Sequence, residues 1–257
     1  MKNIGWIKIS FLSFFIYGIV ILVSCGPRPG GVDPATGYYL KAHEYFVKNE
    51  PQKAIPLYLK AIKKKQNYAA AYHEVAVCYQ QIGNSDKAIE YFEGSIVFNA
   101  RDVDAYQSIG DIFYVKGDND QALNWFEKGS EVDFLYPRTY QNMATIWYQR
   151  GDLEKAKKYY EQAIAVDATY PRAYYGLGLL AYIQGDTAEA ESKFQEAVKL
   201  GTVSEAMYML GLLYFNKQQY DQASDWLNQY LAKEPAAEWS DKAKEMLGKI
   251  EEKKTGK

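Results

Sequence analysis

The chain has 257 residues, 48% of them hydrophobic and 24% charged, with a net charge of −2. These proportions exclude a largely disordered chain. Two cysteines and two histidines exclude a disulfide-stapled scaffold and a multi-ligand Cys/His zinc site, and no segment is basic enough for a nucleic-acid stripe. Tyrosine is the outlier, 24 residues within an aromatic content of 16%. Rings are therefore being placed at recurring positions. In chain order, residues 1–8 carry Lys2 and Lys8 and no acid, and 9–23 (ISFLSFFIYGIVILV) carry no charge. A basic segment followed by an apolar one of this length reads as a signal peptide over 1–24. It falls short of the about 20 apolar residues needed to cross a bilayer.

That segment ends Leu22-Val23-Ser24-Cys25. It resembles the bacterial lipobox, with Leu at −3, small residues before the cut and an obligatory Cys. The resemblance implies cleavage before Cys25, a diacylglycerol thioether on its thiol and acylation of the new amino terminus. More than one chain matters, because each buried CH₂ adds about 0.8 kcal/mol and a single chain anchors only marginally. An uncleaved signal anchor and an ordinary secretory cut beside a cysteine are the competing readings. Residue 26 is Gly rather than Asp, which by resemblance to Gram-negative sorting implies the outer membrane, on its periplasmic face or at the cell surface. From Cys25 to residue 34 the composition is that of a Pro/Gly tether.

A fixed period fills 35–235. Small residues recur at Ala42, Ala76, Gly110, Ala144, Gly178 and Gly211, and again at Ala54, Ala88, Ala122, Ala156, Ala190 and Ala223. The steps are 34 residues, the last 33. Rings keep the same register at Tyr58, Phe92, Phe126, Tyr160 and Phe194. Gly followed by Asn or Asp, at 83–84, 117–118, 151–152 and 185–186, predicts a left-handed end to each first helix and an N-cap for the second. Pro137 and Pro171 suit the first turn of a helix.

These series resemble the tetratricopeptide repeat, W-x₂-L-G-x₂-Y…A-x₃-F…P. Residues 174–197 match it closely, through Tyr174, Leu177, Gly178, Ala190, Phe194 and Ala197. Among the departures, Gly129 stands where Ala is preferred. The resemblance implies an all-α, right-handed α-solenoid of six helix pairs. Residues 236–257 read as a capping helix, amphipathic over 236–250, with a frayed charged tail.

Catalytic signatures are missing: there is no G-x-x-x-x-G-K loop, G-x-S-x-G elbow or H-E-x-x-H. No cofactor or metal is expected. Asp118 and Asp120 hint at a calcium loop, but Gly129 stands where its acid belongs. Cys78 reads as a packed free thiol. His43 and His73 lie on one wall of neighbouring repeats, with no third ligand.

In this family the concave wall is lined by the first helix of each pair. Carried over by repeat position, the groove comprises Tyr39, His43 and Phe46; His73; Gln107 and Tyr114; Arg138, Gln141 and Tyr148; Arg172, Tyr175 and Tyr182; Tyr208 and Phe215. The wall is rich in Tyr, which gives amphipathic contact area at low entropy cost. Lys and Asn do not occupy the positions of a co-chaperone carboxylate clamp. The expected function is a non-enzymatic, lipid-anchored scaffold for envelope complex assembly, laid out like a pilotin or an outer-membrane assembly lipoprotein. Envelope proteins or peptides would bind in the groove, and no nucleic acid. The alternative is an envelope regulator or carrier holding peptidoglycan enzymes or a glycan.

Overall fold

The computed structural model describes residues 32–201 and 203–255. The expected signal peptide, Cys25 and most of the tether lie outside the described residues. Within them the chain forms thirteen α-helices and no strand. The pairs are α1 (Pro34–Val47) and α2 (Pro51–Lys64), α3 (Ala69–Gln81) and α4 (Ser85–Phe98), α5 (Val103–Val115) and α6 (Asn119–Val132). They continue as α7 (Pro137–Gln149) and α8 (Leu153–Val166), α9 (Pro171–Gln184) and α10 (Thr187–Leu200), α11 (Ser204–Asn216) and α12 (Tyr220–Leu231), followed by α13 (Ala237–Thr255). The six pairs plus one terminal helix are the expected solenoid. Each helix packs mainly on its neighbours in sequence, as in a quasi-one-dimensional array.

The turns carry the period. Gly83, Gly117, Gly151 and Gly185 all have φ between 77° and 81°, the left-handed region that costs a glycine nothing. The next residue caps the second helix: Asn84 accepts from the Lys87 N–H at 3.2 Å, Asp118 from Gln121 at 3.1 Å, Asp152 from Lys155 at 3.0 Å and Asp186 from Glu189 at 2.9 Å. The first and last pairs have no glycine here. Asn49 at φ 57° and Gln218 at φ 59° take its place. Asparagine tolerates that conformation through its short polar side chain, and glutamine does so at more cost. Pro137 and Pro171 open α7 and α9 behind Tyr136 and Tyr170, where the missing N–H has no partner to lose. Pro34, assigned to the tether in the sequence, opens α1, and Asp33 Oδ1 caps it through the Ala35 N–H at 2.9 Å.

The core alternates small residue and ring. Phe126 and Phe194 are 1% and 0% exposed, and each lies against the glycine sixteen residues before it. A Cβ on Gly110 would sit 2.4 Å from the Phe126 ring, and one on Gly178 2.6 Å from Phe194. Leu227 closes the same contact with Gly211 in the last pair. Glycine is required at these positions by close approach, not by backbone conformation.

The cap is longer than the sequence indicated. α13 runs through Thr255, so the segment expected to fray is helical. Ala243 and Ile250 are fully buried, and Lys254 reaches back to Asp221 at 2.7 Å. That bridge resembles the pairs between successive repeats, Lys116–Asp86 at 2.7 Å and Arg150–Asp120 at 2.6 Å. Such exposed pairs contribute at most about 1 kcal/mol each. They register one unit on the next more than they hold it.

Candidate functional site: the wall of first helices

Thirteen of the fourteen groove residues reach the surface, most of them half-buried. Gln107 is the exception, and its assignment to the groove is corrected. It is 1% exposed, and its Nε2 donates to Thr139 Oγ of the next repeat. Gly129 explains the change, because a Cβ there would stand 3.2 Å from that Nε2. The departure from Ala makes room for a buried amide. Sequence reasoning noted the departure without the reason.

Many wall residues bond to the neighbouring repeat. Asp111 accepts from Arg138 Nη2 and from Asn142 Nδ2, the latter at 3.0 Å. Burial pushes its carboxyl upward against the pull of Arg138. Gln149 donates to the Tyr114 hydroxyl, Tyr170 donates to Gln141 Oε1 at 3.3 Å, and Asn216 donates to the Tyr182 hydroxyl at 3.3 Å. These bonds tie the Tyr114, Tyr170 and Tyr182 hydroxyls to the neighbouring repeat. Tyr148 packs on the core of its own repeat and Tyr182 on that of the last pairs, so neither is free-standing. Arg172 is exposed, and the Phe215 ring lies 5.9 Å from that of Tyr220.

The two histidines do different things. His43 stacks between Tyr39 at 6.1 Å and Phe46 at 5.8 Å, and its Nδ1 lies 3.4 Å from the Tyr58 hydroxyl. It belongs to an aromatic column. His73 Nδ1 pairs with Asp102 Oδ2 at 2.8 Å, and Ser95 Oγ donates to the same oxygen. The three residue types are those of a hydrolase triad, but the order is wrong. A nucleophilic serine must face the imidazole, with the acid on the imidazole's far nitrogen. Here serine and histidine both bind the acid. Asp102 also caps α5 through the Ala105 N–H at 3.2 Å, so the cluster is the joint between repeats two and three.

The joint titrates. Burial lowers the His73 pKa, but the hydrogen bond and charge of Asp102 outweigh it and the net shift is upward from 6.5. For Asp102, burial raises the pKa, while His73 and Ser95 outweigh that and bring it below 3.8. A raised histidine value means the folded state binds the proton more tightly. Its contribution is complete below pH 6.5 and disappears as pH climbs through the raised value. The Asp102 contribution is present above pH 3.8 and is lost as pH falls through the depressed value. The joint is therefore expected to contribute more stability at pH 5.5 than at pH 8.5, by about 1 kcal/mol, the scale of one ordinary net hydrogen bond. Urea unfolding of wild type and His73→Gln at the two pH values checks this. A wild-type difference that persists unchanged in the variant would assign it elsewhere.

Cys78 is fully buried and free. Burial, reinforced by Glu74, pushes its thiol up to about 12, so it packs and does not react. No cluster of three or more His, Cys, Asp or Glu suited to a metal occurs among the described residues. No helix among them is long and apolar enough to cross a membrane.

At the far end of the wall is a feature the sequence did not indicate. A cavity of about 300 Å³ opens between α9, α11, α12 and the start of α13. Tyr175 and Tyr208, both groove positions, line it with Ser204, Glu205, Met209, Tyr230 and Trp239. Trp239 is 46% exposed. Its one sequence signal was a tryptophan near the start of the amphipathic cap.

Known proteins give the same architecture. Tetratricopeptide-repeat models match residues 57–90, 142–205 and 181–247, so this chain is built of tetratricopeptide repeats. PilF of Pseudomonas aeruginosa superposes with a TM-score of 0.68 at 17% identity, over 86% of this chain and 98% of that one. PilW, described as a widely conserved type IV pilus biogenesis factor, gives 0.63 at 17% identity, over 86% and 99%. MamA gives 0.57 at 23% identity, over 65% and 92%. No curated protein matches the sequence. At these identities the structural likeness speaks for the fold, and no catalytic family is indicated.

Proposed function

We propose that this chain is a lipid-anchored, non-enzymatic scaffold that holds protein partners of an envelope assembly complex along its wall of first helices. The observation that carries the reading is the row of half-buried rings on that wall, among them Tyr39, Tyr148, Tyr175, Tyr182 and Tyr208. Neighbouring repeats hold several of them in place, so little side-chain entropy remains to be lost on binding. The lipobox-like Leu22–Cys25 supplies the anchor in this reading. The pilotin-like assignment draws on likeness to PilF and PilW, whose nearly full lengths align with most of this chain.

The test is affinity purification from detergent-solubilised membranes, with wild type, a Tyr148→Ala/Tyr182→Ala double variant and Cys25→Ala. The double variant loses partners, because buried Tyr anchors often carry about 2 kcal/mol each, roughly 30-fold in affinity. Its folding cost is about 1 kcal/mol per ring, since both are half-buried, and circular dichroism checks that the array remains helical. Cys25→Ala loses incorporation of labelled palmitate. A secretin or barrel subunit among the partners supports assembly. Recovery of a peptidoglycan hydrolase or a glycan would favour the carrier reading, and full partner retention by the double variant would remove the groove as the binding surface.

A further inference from the structure

We infer that the aromatic cavity at the C-terminal end of the wall is a subsite for a cationic side chain, arginine or lysine, of a bound polypeptide. This deepens the partner-binding reading and rests on it. Two observations converge on the charge of the occupant.

The first is the lining itself. It holds three phenols, one indole and the Glu205 carboxylate, with no Lys or Arg. Among the described residues, the polar contact that Glu205 makes is a long one, 3.4 Å from the hydroxyl of adjacent Ser204. The carboxylate therefore belongs to the lining and has no cation paired with it among the described residues. Its charge is felt by two of the phenols: burial and then Glu205 raise both Tyr175 and Tyr230. A cation placed among them would pair with the carboxylate and meet the ring faces.

The second is ring geometry. Tyr208 meets Trp239 at 78° with centroids 5.7 Å apart, and Tyr230 at 57° and 5.5 Å. The rings build a corner, not a flat platform. The lining has no amide or guanidinium side chain to donate to a sugar's hydroxyls. A cation is held by several ring faces at once, and a guanidinium can also pair with a carboxylate at the edge.

One cation already stands at this indole: Lys242 Nζ lies 4.3 Å from the Trp239 centroid, tied to Glu238 at 2.8 Å. It is not part of the lining, and the occupant's charge is met by Glu205 and the remaining ring faces.

The experiment uses the chain processed at Cys25, in detergent, with ¹⁵N-labelled tryptophan. Four indole resonances are expected, from Trp125, Trp147, Trp226 and Trp239, and the one lost in Trp239→Phe is that of Trp239. The probes are acetyl-Gly-Arg-Gly-amide and the same peptide with citrulline, a neutral isostere. The arginine peptide should move the Trp239 resonance saturably and leave the other three in place. Citrulline should bind about tenfold more weakly, and Glu205→Gln should weaken the arginine peptide by a similar factor. Equal response to citrulline, indifference to Glu205→Gln, or no saturable shift by about 10 mM would each overturn the proposal. So would a shift produced by an N-acetylglucosamine trimer and not by arginine. No partner is needed, so the two readings fail separately. A responsive pocket beside full partner retention by the Tyr148/Tyr182 variant supports the subsite and removes the groove. An inert pocket beside lost partners removes the subsite alone.

Discussion

Gly178→Leu is expected to destabilise the array by about 3 kcal/mol, the upper part of the range for overpacking a core. The Cβ alone would stand 2.6 Å from two atoms of the Phe194 ring. That ring is fully buried and cannot swing away as a flexible side chain would. Leucine adds three more carbons in the same direction. Helix propensity favours leucine over glycine by roughly 1 kcal/mol, which offsets only part of the clash. Because repeats are stabilised by their neighbours, the loss should spread through α9–α12. Urea unfolding with hydrogen exchange reads both the size and the location. Melting identical to wild type would mean that α9 and α10 are not in the contact described.

Phe126→Ala should cost more, about 3–5 kcal/mol, because it removes a large ring and leaves a cavity. Phe126 joins Leu123 of its own repeat to Met143 and Ile146 of the next in one buried cluster. It therefore holds a pair together and also holds two pairs to each other. Gly110, where a Cβ would stand 2.4 Å from the ring, has no side chain to close the gap. Being central, the lesion should divide the array. Denaturant curves followed by probes in α2 and α12 should cease to coincide. A cost under about 1 kcal/mol would contradict the burial of this ring.

The repeat architecture was legible because three residue series held one register, and each series has a physical partner: small residues face rings, and glycine turns precede caps. What broke register was not legible. Asn49 and Gln218 stand at the same period as the four turn glycines, but neither residue type announces a left-handed backbone as glycine does. Gln107 shares its repeat position with His73 and Gln141, both at the surface, and its burial depends on a missing Cβ on a different helix. The cavity draws on three repeat helices and the cap, so Trp239 has no equivalent one period away, and Glu205 stands where the two preceding units carry Arg172 and Arg138. Periodicity finds what every unit does. It says little about what the end of the array does once.

The two Tyr-Pro-Arg starts of α7 and α9 give the molecule a seam. Tyr136 and Tyr170 precede the same Pro-Arg dipeptide and occupy the same cap position. Joining Tyr136 directly to Pro171 would recreate a junction already present in the chain. One whole unit would leave with 137–170, and the backbone would meet no unfamiliar turn. A gene encoding this protein could thus shorten or lengthen the rod by recombination at that seam. The price falls on the seam's side chains, because Tyr170 hydroxyl now reaches Gln141 whereas Tyr136 reaches Asp104. The length of the scaffold is the variable that evolution can change most cheaply here, and the spacing between its ends would follow.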